Sequence, residues 1–551
     1  MADSTSAATG LFSIAEIRAI ENAASAHLPA HALMQRAGKA AAQAAIRIVG
    51  PAAATLLFPA GIPILIAAGP GNNGGDACEC AALLARQGYQ VTLLIPQALA
   101  NPSTDHAQAL EQARSAPVAW ADLLAVPALV QQRWALVIDG LFGIGLDRAL
   151  AGVWQTVVSS LNAIDAPLLA LDVPSGLNAD TGAVIVEDAE DGHLPGKDVS
   201  QTRNKVCIRA SHTITFIADK PGLHTCDGRD QAGAVSVASL DIGLEHYPSP
   251  CVVLTQSLVF SAHTHARLHN SHKGRFGDVQ IVGGADGMVG AAVLAAHAAL
   301  KSGAGRVLVG FPNTAHPSPF QVGLPELMCR SADDLDFSHG VLVVGPGLGT
   351  SEAAYALVAR ACTAEVPLVL DADGLNLLAG APALQAALVR RSTRSRTPGR
   401  PDAPCGSATL LTPHPLEASR LLGITAAAVQ TDRLAAAQML AEKFSATVIL
   451  KGSGTIIAHE GKLWVNPTGN PALASGGTGD VLAGLCGALL TQGWPILHAA
   501  LAAVWVHGTA ADLLVARGVG PVGVTASEII DAARSVLNDV IAGRFRQAVP
   551  Q

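Results

Sequence analysis

Short apolar runs that end in glycine or aspartate, each followed by a helix-forming stretch, recur along this chain and limit its fold more than any other feature. In the first half they are IPILIAAG (62–69), QVTLLIP (90–96), ALVIDG (135–140) and PLLALDV (167–173), with helical stretches such as 77–87 and 152–163 between them. TITFIADK (213–220) adds another strand. The second half repeats the style with DVQIVGG (278–284), GRVLVGF (305–311), VLVVGPG (341–347), VPLVLDAD (366–373), ATLLTPH (408–414) and TVILKGSG (447–454). Strands of this kind, alternating with helices, predict parallel sheets covered on both faces. The loops after such strands all emerge at the carboxyl edge of the sheet, where α/β sites form. The halves share a style, not a repeated sequence.

Punctuation between the runs sets the organisation. Ser13-Ile-Ala-Glu16 reads as a capping box opening a helix near Ile14 to Ser25, and a second, Ala-rich helix follows near Leu33 to Ile48. The first ten residues read as a loose tail. Acidic residues and Gly/Pro at 183–204 predict a loop, most acidic over 187–198, and the Arg/Pro/Gly-rich tract 390–406 predicts an exposed insertion. Turn residues near 245–262 place a linker there. The expectation is two α/β domains, 12–245 and 262–545, out of 551 residues.

Composition removes several function classes. With 50% hydrophobic and 14% charged residues, the bulk of the chain is not disordered. A net charge of -8 argues against a broad basic surface, so no nucleic-acid partner is expected. The two most apolar stretches are broken, one by Pro59, Gly61 and Pro63, the other by Gln492, Pro495 and His498. Neither offers about 18 uninterrupted apolar residues, so no membrane span is expected. The opening MADSTSAATG lacks the pattern of a secretory signal. Nine cysteines with no CxxC pair fit free thiols in a reducing cytoplasm.

The first half carries Gly69-Pro-Gly71-Asn-Asn-Gly74-Gly-Asp76 after its first strand, a G-x-G-x-x-G pattern opening a helix. The next strand ends LLIPQ without the carboxylate that a standard nicotinamide-coenzyme fold places there. Asp139-Gly-Leu-Phe-Gly-Ile-Gly-Leu-Asp147 follows the third strand and Asp172-Val-Pro-Ser175 the fourth. Asn73, Asp139, Asp172 and Ser175 would converge as oxygen donors, which suit a hard cation rather than zinc. GPGNNGGD, DGLFGIGL, LDVPSGLNADTG and TITFIADKPGL together resemble the N-terminal domain of NAD(P)H-hydrate epimerases, over roughly 12–245. That resemblance implies a Rossmann-like three-layer α/β sandwich. It implies that the hydrate contacts Asn72, Asn73, Gly74, Gly75 and Asp76, the loop Gly143, Ile144, Gly145, Leu146, Asp147, Arg148 and Ala149, and Asp172. It also implies a potassium ion held by Asn73, Asp139 and Ser175. Ala77 departs from the family, which continues with glycine there. The chemistry needs one positioned proton carrier; Asp172 is the candidate and Lys220 a weaker one, its bland reading being a solvated lysine at a strand end.

In the second half, Gly476-Gly477-Thr478-Gly479-Asp480 runs directly into an apolar helix. Free amides at the positive end of that helix form an anion hole. Asp480 beside it is suited to act as a base on an incoming hydroxyl rather than as a phosphate ligand. No G-x-x-x-x-G-K-[ST] occurs, so this is not a P-loop. GTGD before a helix resembles the ribokinase-like superfamily. SHKGRFG (271–277), PELM (325–328), GPGLG (345–349), DADGLN (371–376), TPHPLE (412–417) and KGSGT (451–455) narrow the resemblance to its ADP-dependent NAD(P)H-hydrate dehydratases, over roughly 262–545. By that pattern Lys451, Gly452, Ser453, Gly454, Thr455, Gly476, Gly477, Thr478 and Gly479 bind the nucleotide, and Ala291, Gly347, His414 and Asp480 bind the hydrate. His414, between two prolines, has a plainer reading as a residue that fixes a turn.

The expected protein is therefore a bifunctional enzyme. One half epimerises the R and S hydrates of NADH and NADPH, and the other dehydrates the S form with ADP as co-substrate and Mg2+ on its phosphates. A homo-oligomer is expected, although no residue pattern sets its state. A ribokinase-type kinase acting on a sugar or vitamin would need only the GTGD loop and leaves PELM, TPHPLE and the first half unexplained. A first half reduced to a binding module conflicts with its intact Asn73, Asp139, Asp172 and Ser175.

Overall fold

The computed structural model describes residues 9–50, 57–58, 61–97, 102–187, 205–264, 266–312, 323–394 and 408–545. The acidic run beyond 187 and the tract 395–406 lie outside the described residues. The chain divides into two compact units between Val252 and Val253. The linker expected near 245–262 contains regular structure, a strand at Val252–Leu254 and a short helix at Leu258–Ser261.

The first unit is built on seven strands: β1 (Pro63–Ala68), β2 (Gln90–Leu94), β3 (Ala119–Ala121), β4 (Leu136–Gly140), β5 (Leu168–Leu171), β6 (His212–Phe216) and β7 (Ala234–Ala238). They lie in the order β3-β2-β1-β4-β5-β6-β7, and every pairing is parallel. Alternate residues of β1 face opposite sides. Ile64 and Ile66 pack under the helices Ala32–Val49 and Asn72–Arg86, while Leu65 and Ala67 pack with Val157 and Leu161 of the Val153–Asn162 helix. This is the expected three-layer sandwich. The chain reverses its direction of strand addition between β1 and β4, so the crevice for a ligand opens after these two strands.

The helix expected at 77–87 starts five residues earlier and runs Asn72–Arg86, with Gly71 at its N-cap. Two glycines in its first turns weaken the sequence signal. Burial of Asn73, Gly74 and Gly75 against the sheet overrides that weakness. The helix Ile14–Ser25 has the predicted capping box: the Ser13 amide donates to Glu16 Oε2 at 2.7 Å, and the Glu16 amide donates to Ser13 Oγ at 3.3 Å.

The second unit contains β8 (Val252–Leu254), β9 (Asp278–Val282), β10 (Arg306–Phe311), β11 (Met328–Ser331), β12 (Val341–Val344), β13 (Leu368–Leu370), β14 (Thr409–Leu411), β15 (Thr447–Leu450), β16 (Ile456–His459) and β17 (Lys462–Val465). Their order is β8-β17-β16-β15-β14-β13-β12-β9-β10-β11. From β15 to β11 the pairings are parallel, and the β15–β16 and β16–β17 pairings are antiparallel. Here the reversal lies between β9 and β12. The helices Val289–Lys301, Thr478–Thr491, Ile496–Ala516 and Ala526–Ile541 bury one face of this sheet. Ile496–Ala516 begins after Pro495 and, among the described residues, is the one helix long and apolar enough to cross a membrane. Its residues from Ala499 to Gly508 are buried in this core.

Candidate active sites

The carboxyl edge of the first sheet gathers the predicted oxygen donors. Gly69 passes so close to the loop after β4 that a Cβ on it would overlap the Leu141 carbonyl oxygen. This crossing seats the helix start at Asn72 beside the end of β4. Asp139 is fully buried; its Oδ1 accepts from Ser175 Oγ at 2.7 Å and from the Leu141 amide at 3.1 Å, and its Oδ2 accepts from the Ser175 amide at 2.9 Å. Burial pushes its carboxyl up to about 6, against those hydrogen bonds, which favour the ionised form. Asn73 donates Nδ2 to the Leu171 carbonyl at 3.1 Å, and its Oδ1 is buried with no donor in reach. An orphaned buried acceptor at the sheet edge that also carries buried Asp139 leaves room for a donor or a cation. The neutral and anionic oxygens of Asn73, Asp139 and Ser175 fit a weakly hydrated monovalent cation.

Asp172 sits at the end of β5 in a left-handed conformation, φ 64°. Its Oδ1 is 2.9 Å from Lys220 Nζ and also accepts from the Phe216 amide at 3.3 Å. Lys220 is wholly buried, and its ammonium also donates to Thr215 Oγ1 at 2.6 Å, the Phe216 carbonyl at 3.0 Å and the Ala218 carbonyl at 3.2 Å. The solvated-lysine reading is thus overturned: β6, adjacent to β5, turns this lysine inward as the counter-ion of Asp172. With Oδ1 fixed, Oδ2 accepts from the Ile144 amide at 3.3 Å. Residue 143 must be small, because a Cβ there would come 2.9 Å from Asp172 Oδ2.

Asn73 and Asp172 open onto a cavity of about 470 Å³ lined also by Asn72, Asp76 and residues 141–146, with Asp139, Ser175 and Lys220 buried behind it. Asp76 is raised well above the usual carboxylate range, first by burial and then by the charges of Asp172, Glu21 and Glu79. Gly74 and Gly75 are buried within the helix. Asp147 and Arg148 point to solvent, and with Ala149 they fall outside the cavity lining. Sequence reasoning missed one pair at the cavity. His31, buried at φ 69°, holds Glu79 through Nε2–Oε1 at 2.6 Å. Two single letters on separate helices carry no local signal.

In the second unit, Asp480 lies in the first turn of Thr478–Thr491, whose N-cap is Gly477. Its carboxyl is pushed up to about 7, first by burial and then by the Asp371 charge, with Lys451 opposing. A carboxylate resisted in this way is no mere helix-dipole ornament, since such a charge would be favoured. Lys451, just after β15, pairs with Asp371 Oδ1 at 2.7 Å and stands 3.8 Å from Glu417 Oε2. Burial alone would pull the Lys451 ammonium down; the charges of Asp371 and Glu417 more than reverse this and leave it raised. Gly479 closes the circle, because a Cβ there would lie 3.5 Å from Lys451 Nζ.

The remaining predicted residues divide. A Cβ on Gly347 would be 3.1 Å from that of Ala291, so the two adjoin at the β9/β12 reversal, and the adjacent loop is tied down by the Gly349 amide donating to Asp373 Oδ2 at 2.8 Å. The Thr478 hydroxyl is turned away into its own loop, donating to the Leu473 carbonyl at 2.8 Å. Thr455 Oγ1 likewise donates to the Gly452 carbonyl at 3.0 Å. His414 does fix a turn: it is the N-cap of Pro415–Leu422, and its Nδ1 accepts from the Leu416 and Glu417 amides at 3.1 and 3.3 Å. Its imidazole is lowered, by burial first and by Lys451 second. Behind the KGSGT loop, buried Arg433 donates to the Leu450 carbonyl at 3.2 Å and the Lys451 carbonyl at 3.3 Å. Asp371, Glu417 and Arg433 were not among the predicted site residues.

Two α/β units, each presenting a glycine-rich helix start and a buried carboxylate–lysine pair at its carboxyl edge, define a two-site α/β enzyme. Residues 279–534 match the family described as NAD(P)H-hydrate dehydratase, and residues 30–222 match that described as YjeF-related protein N-terminus. The chain is 34% identical over 544 residues to the bifunctional NAD(P)H-hydrate repair enzyme of Coxiella burnetii, covering 96% of this chain and all of that one. The Escherichia coli enzyme of the same description is also 34% identical, over 94% of this chain and 91% of its own length. The ADP-dependent (S)-NAD(P)H-hydrate dehydratase of Neisseria meningitidis is 43% identical over 280 residues, 50% of this chain and 90% of that one. A solved ADP/ATP-dependent NAD(P)H-hydrate dehydratase from Bacillus subtilis aligns with 52% of this chain and 97% of its own at 31% identity and TM-score 0.43. The chain belongs to the family of bifunctional NAD(P)H-hydrate repair enzymes.

Proposed function

We propose that the first unit interconverts the R and S hydrates of NADH and NADPH, and that the second returns the S hydrate to the dihydronicotinamide at the expense of ADP. The observation that carries the second half of this reading is Asp480, a carboxyl held near 7 in the first turn of a glycine-started helix, beside a lysine. A base with that affinity is matched to a hydroxyl at neutral pH.

In this reading Asp480 takes the proton as the hydrate's hydroxyl oxygen attacks the terminal phosphorus of ADP. The P–O bond to AMP breaks and AMP leaves. The phosphorylated carbon then expels phosphate while the ring loses a proton from the neighbouring carbon, restoring the double bond. Backbone amides of the Gly476–Gly477 turn and of the helix start at Thr478 and Gly479 hold transferring phosphate oxygens, and Lys451, beside Gly479, supplies positive charge. Mg2+ bound with the ADP phosphates would offset their charge during the transfer. Ala291, Gly347 and the turn fixed by His414 form the walls for the nicotinamide moiety.

In the first unit Asp172 Oδ2 is the proton carrier for loss and return of the hydroxyl, and Lys220 is a positioning residue that fixes Oδ1. Asn73, Asp139 and Ser175 would hold potassium, whose charge offsets the buried Asp139 and steadies the Asn72–Asp76 turn against β4. Asn72, Asn73, Asp76 and residues 143–146 enclose the hydrate, with Gly74 and Gly75 packed behind them and Asp147 to Ala149 at the rim. A reducing cytoplasm suits the eight described cysteines, all free thiols. Homo-oligomerisation belongs to the reading as well; Leu124, 80% exposed, and Trp120, 43% exposed, are apolar groups open to a second copy.

Chiral chromatography of both hydrates tests the whole. Without ADP the two epimers should equilibrate and persist; with ADP and Mg2+ both should disappear as AMP and phosphate form in equal amounts. Consumption without phosphate release would refute the dehydratase mechanism, and loss of S alone would refute the epimerase.

A further inference from the structure

The second unit has a second cleft, at the opposite edge of its sheet. Arg275 and Phe276 precede β9, and Ser302 and Gly303 precede β10, so these residues stand at the amino ends of the strands. The catalytic loops follow the strands. The cleft encloses about 490 Å³, as much as the epimerase cavity. In a chain of net charge -8, four cations line it, Arg267, Arg275, Lys301 and Arg534, and among the described residues no acidic one does.

Helix ends alone do not account for that charge. Three helices finish here, and their last carbonyls attract cations. However, Gln492 Nε2 already donates to the Ala488 carbonyl at 2.7 Å and the Ser302 carbonyl at 3.0 Å, and Arg267 donates to the Gly303 carbonyl at 2.5 Å. Lys301 and Arg534 share one counter-ion, Asp531, each at 3.3 Å, and Asp531 lies outside the lining. Arg275 is exposed and makes no ion pair or hydrogen bond through its side chain among the described residues. Four positive charges thus face a single carboxylate, Asp531. The cleft also has an apolar floor of Leu489, Trp494 and Leu537. The Arg267 guanidinium lies 3.8 Å from the centre of the Phe276 ring, a flat cation braced on an aromatic.

Clustered guanidinium forks select phosphate oxygens, and an apolar floor beside them accepts a flat organic body. We propose that this cleft is a second nucleotide site, binding a nucleoside diphosphate or triphosphate away from the reacting centre. Arg275, Lys301 and Arg534 take the phosphates, and the Arg267–Phe276 and Trp494 side takes the base. The cleft lies at the strand edge away from Asp480, so a nucleotide held here does not compete with the one that reacts.

Equilibrium dialysis of the full chain with radiolabelled ADP, at physiological ionic strength, counts the sites. Two equivalents are expected per chain. The double variant Arg275→Glu/Arg534→Glu should keep one and retain basal dehydration, and Lys451→Met should keep the other. The cleft's equivalent should be displaced by tripolyphosphate and not by adenosine. The inference depends on the proposed catalytic function only for the count: if the catalytic site took no ADP, one equivalent would remain and the double variant would abolish it. One equivalent that Lys451→Met removes and the double variant keeps would overturn the proposal. So would two equivalents indifferent to charge reversal, or displacement by adenosine alone.

Discussion

Replacing Asp480 by asparagine should raise the stability of the second unit while abolishing dehydration, and the structure sets the size of the gain. The carboxyl is held near 7 in the folded chain, whereas an unperturbed aspartate titrates near 3.9. The folded state therefore binds the proton more tightly than the unfolded state. Between these two values the folded chain carries more protons, so unfolding free energy falls as pH rises, and it levels off above pH 7. Three pH units correspond to about 4 kcal/mol at full ionisation, of which about 2 to 3 kcal/mol is lost between pH 5 and pH 8. An asparagine side chain cannot ionise, so the Asp480→Asn variant escapes that loss. It should match the wild type near pH 4 and exceed it by an amount that grows towards pH 8. Denaturant unfolding at pH 5 and pH 8 reads this, following the transition that ADP shifts upward, because ligand binding marks the unit concerned. The variant should still respond to ADP and should still epimerise. A wild type and variant whose stabilities run parallel from pH 5 to pH 8 would show that Asp480 is not held near 7, and the argument for it as a matched base would fall with it.

Four further outcomes are expected. Lys220→Met leaves the Asp172 carboxylate beside an apolar group; epimerisation should be lost and the first unit destabilised by about 3 to 5 kcal/mol, with dehydration of the S hydrate unchanged as the internal control. Gly143→Ala pushes a methyl against Asp172 Oδ2 and should slow epimerisation roughly ten- to a hundredfold without altering the unfolding midpoint of the second unit. Replacing potassium by lithium or tetramethylammonium at equal ionic strength should reduce epimerisation and spare dehydration; equal rates in all three salts would remove Asn73, Asp139 and Ser175 as an ion site. Asp371→Asn deletes the charge that most raises Asp480 and releases Lys451, so the acid limb of the dehydration pH–rate profile, expected near 7 in the wild type, should move to lower pH.

Much of this arrangement was written locally. Each strand of both sheets that carries a site residue was visible as a short apolar run, because strands buried on both faces tolerate nothing else. The glycine loops were visible for the same kind of reason, since close crossings such as Gly69 over Leu141 admit only glycine. What stayed hidden depends on which strands become neighbours. Lys220 reads as an ordinary lysine until β6 is placed beside β5, which brings its ammonium 2.9 Å from Asp172 across 48 residues of sequence. Lys451 and Asp371 stood in two separate motifs, only the first with a predicted duty, and only the order β13-β14-β15 makes them partners. The cations of the amino-edge cleft are scattered from Arg267 to Arg534, with no pattern to link them.

That hidden layer decides how the two acids differ. In the proposed reading each site pairs a lysine with a proton-carrying carboxylate, yet the lysine is allotted differently. In the first unit it contacts the proposed proton carrier itself, fixing Asp172 Oδ1 and leaving Oδ2 towards the cavity. In the second it is claimed by Asp371, so Asp480 is left with burial and a neighbouring negative charge, and its proton affinity rises. A strong base is what attack of a hydroxyl on phosphorus requires, whereas a reversible hydroxyl exchange needs a carboxylate held still. The family assignment says which two reactions to expect; the placement of one counter-ion in each unit says why the same pair of residue types serves one reaction in one sheet and the other in the next.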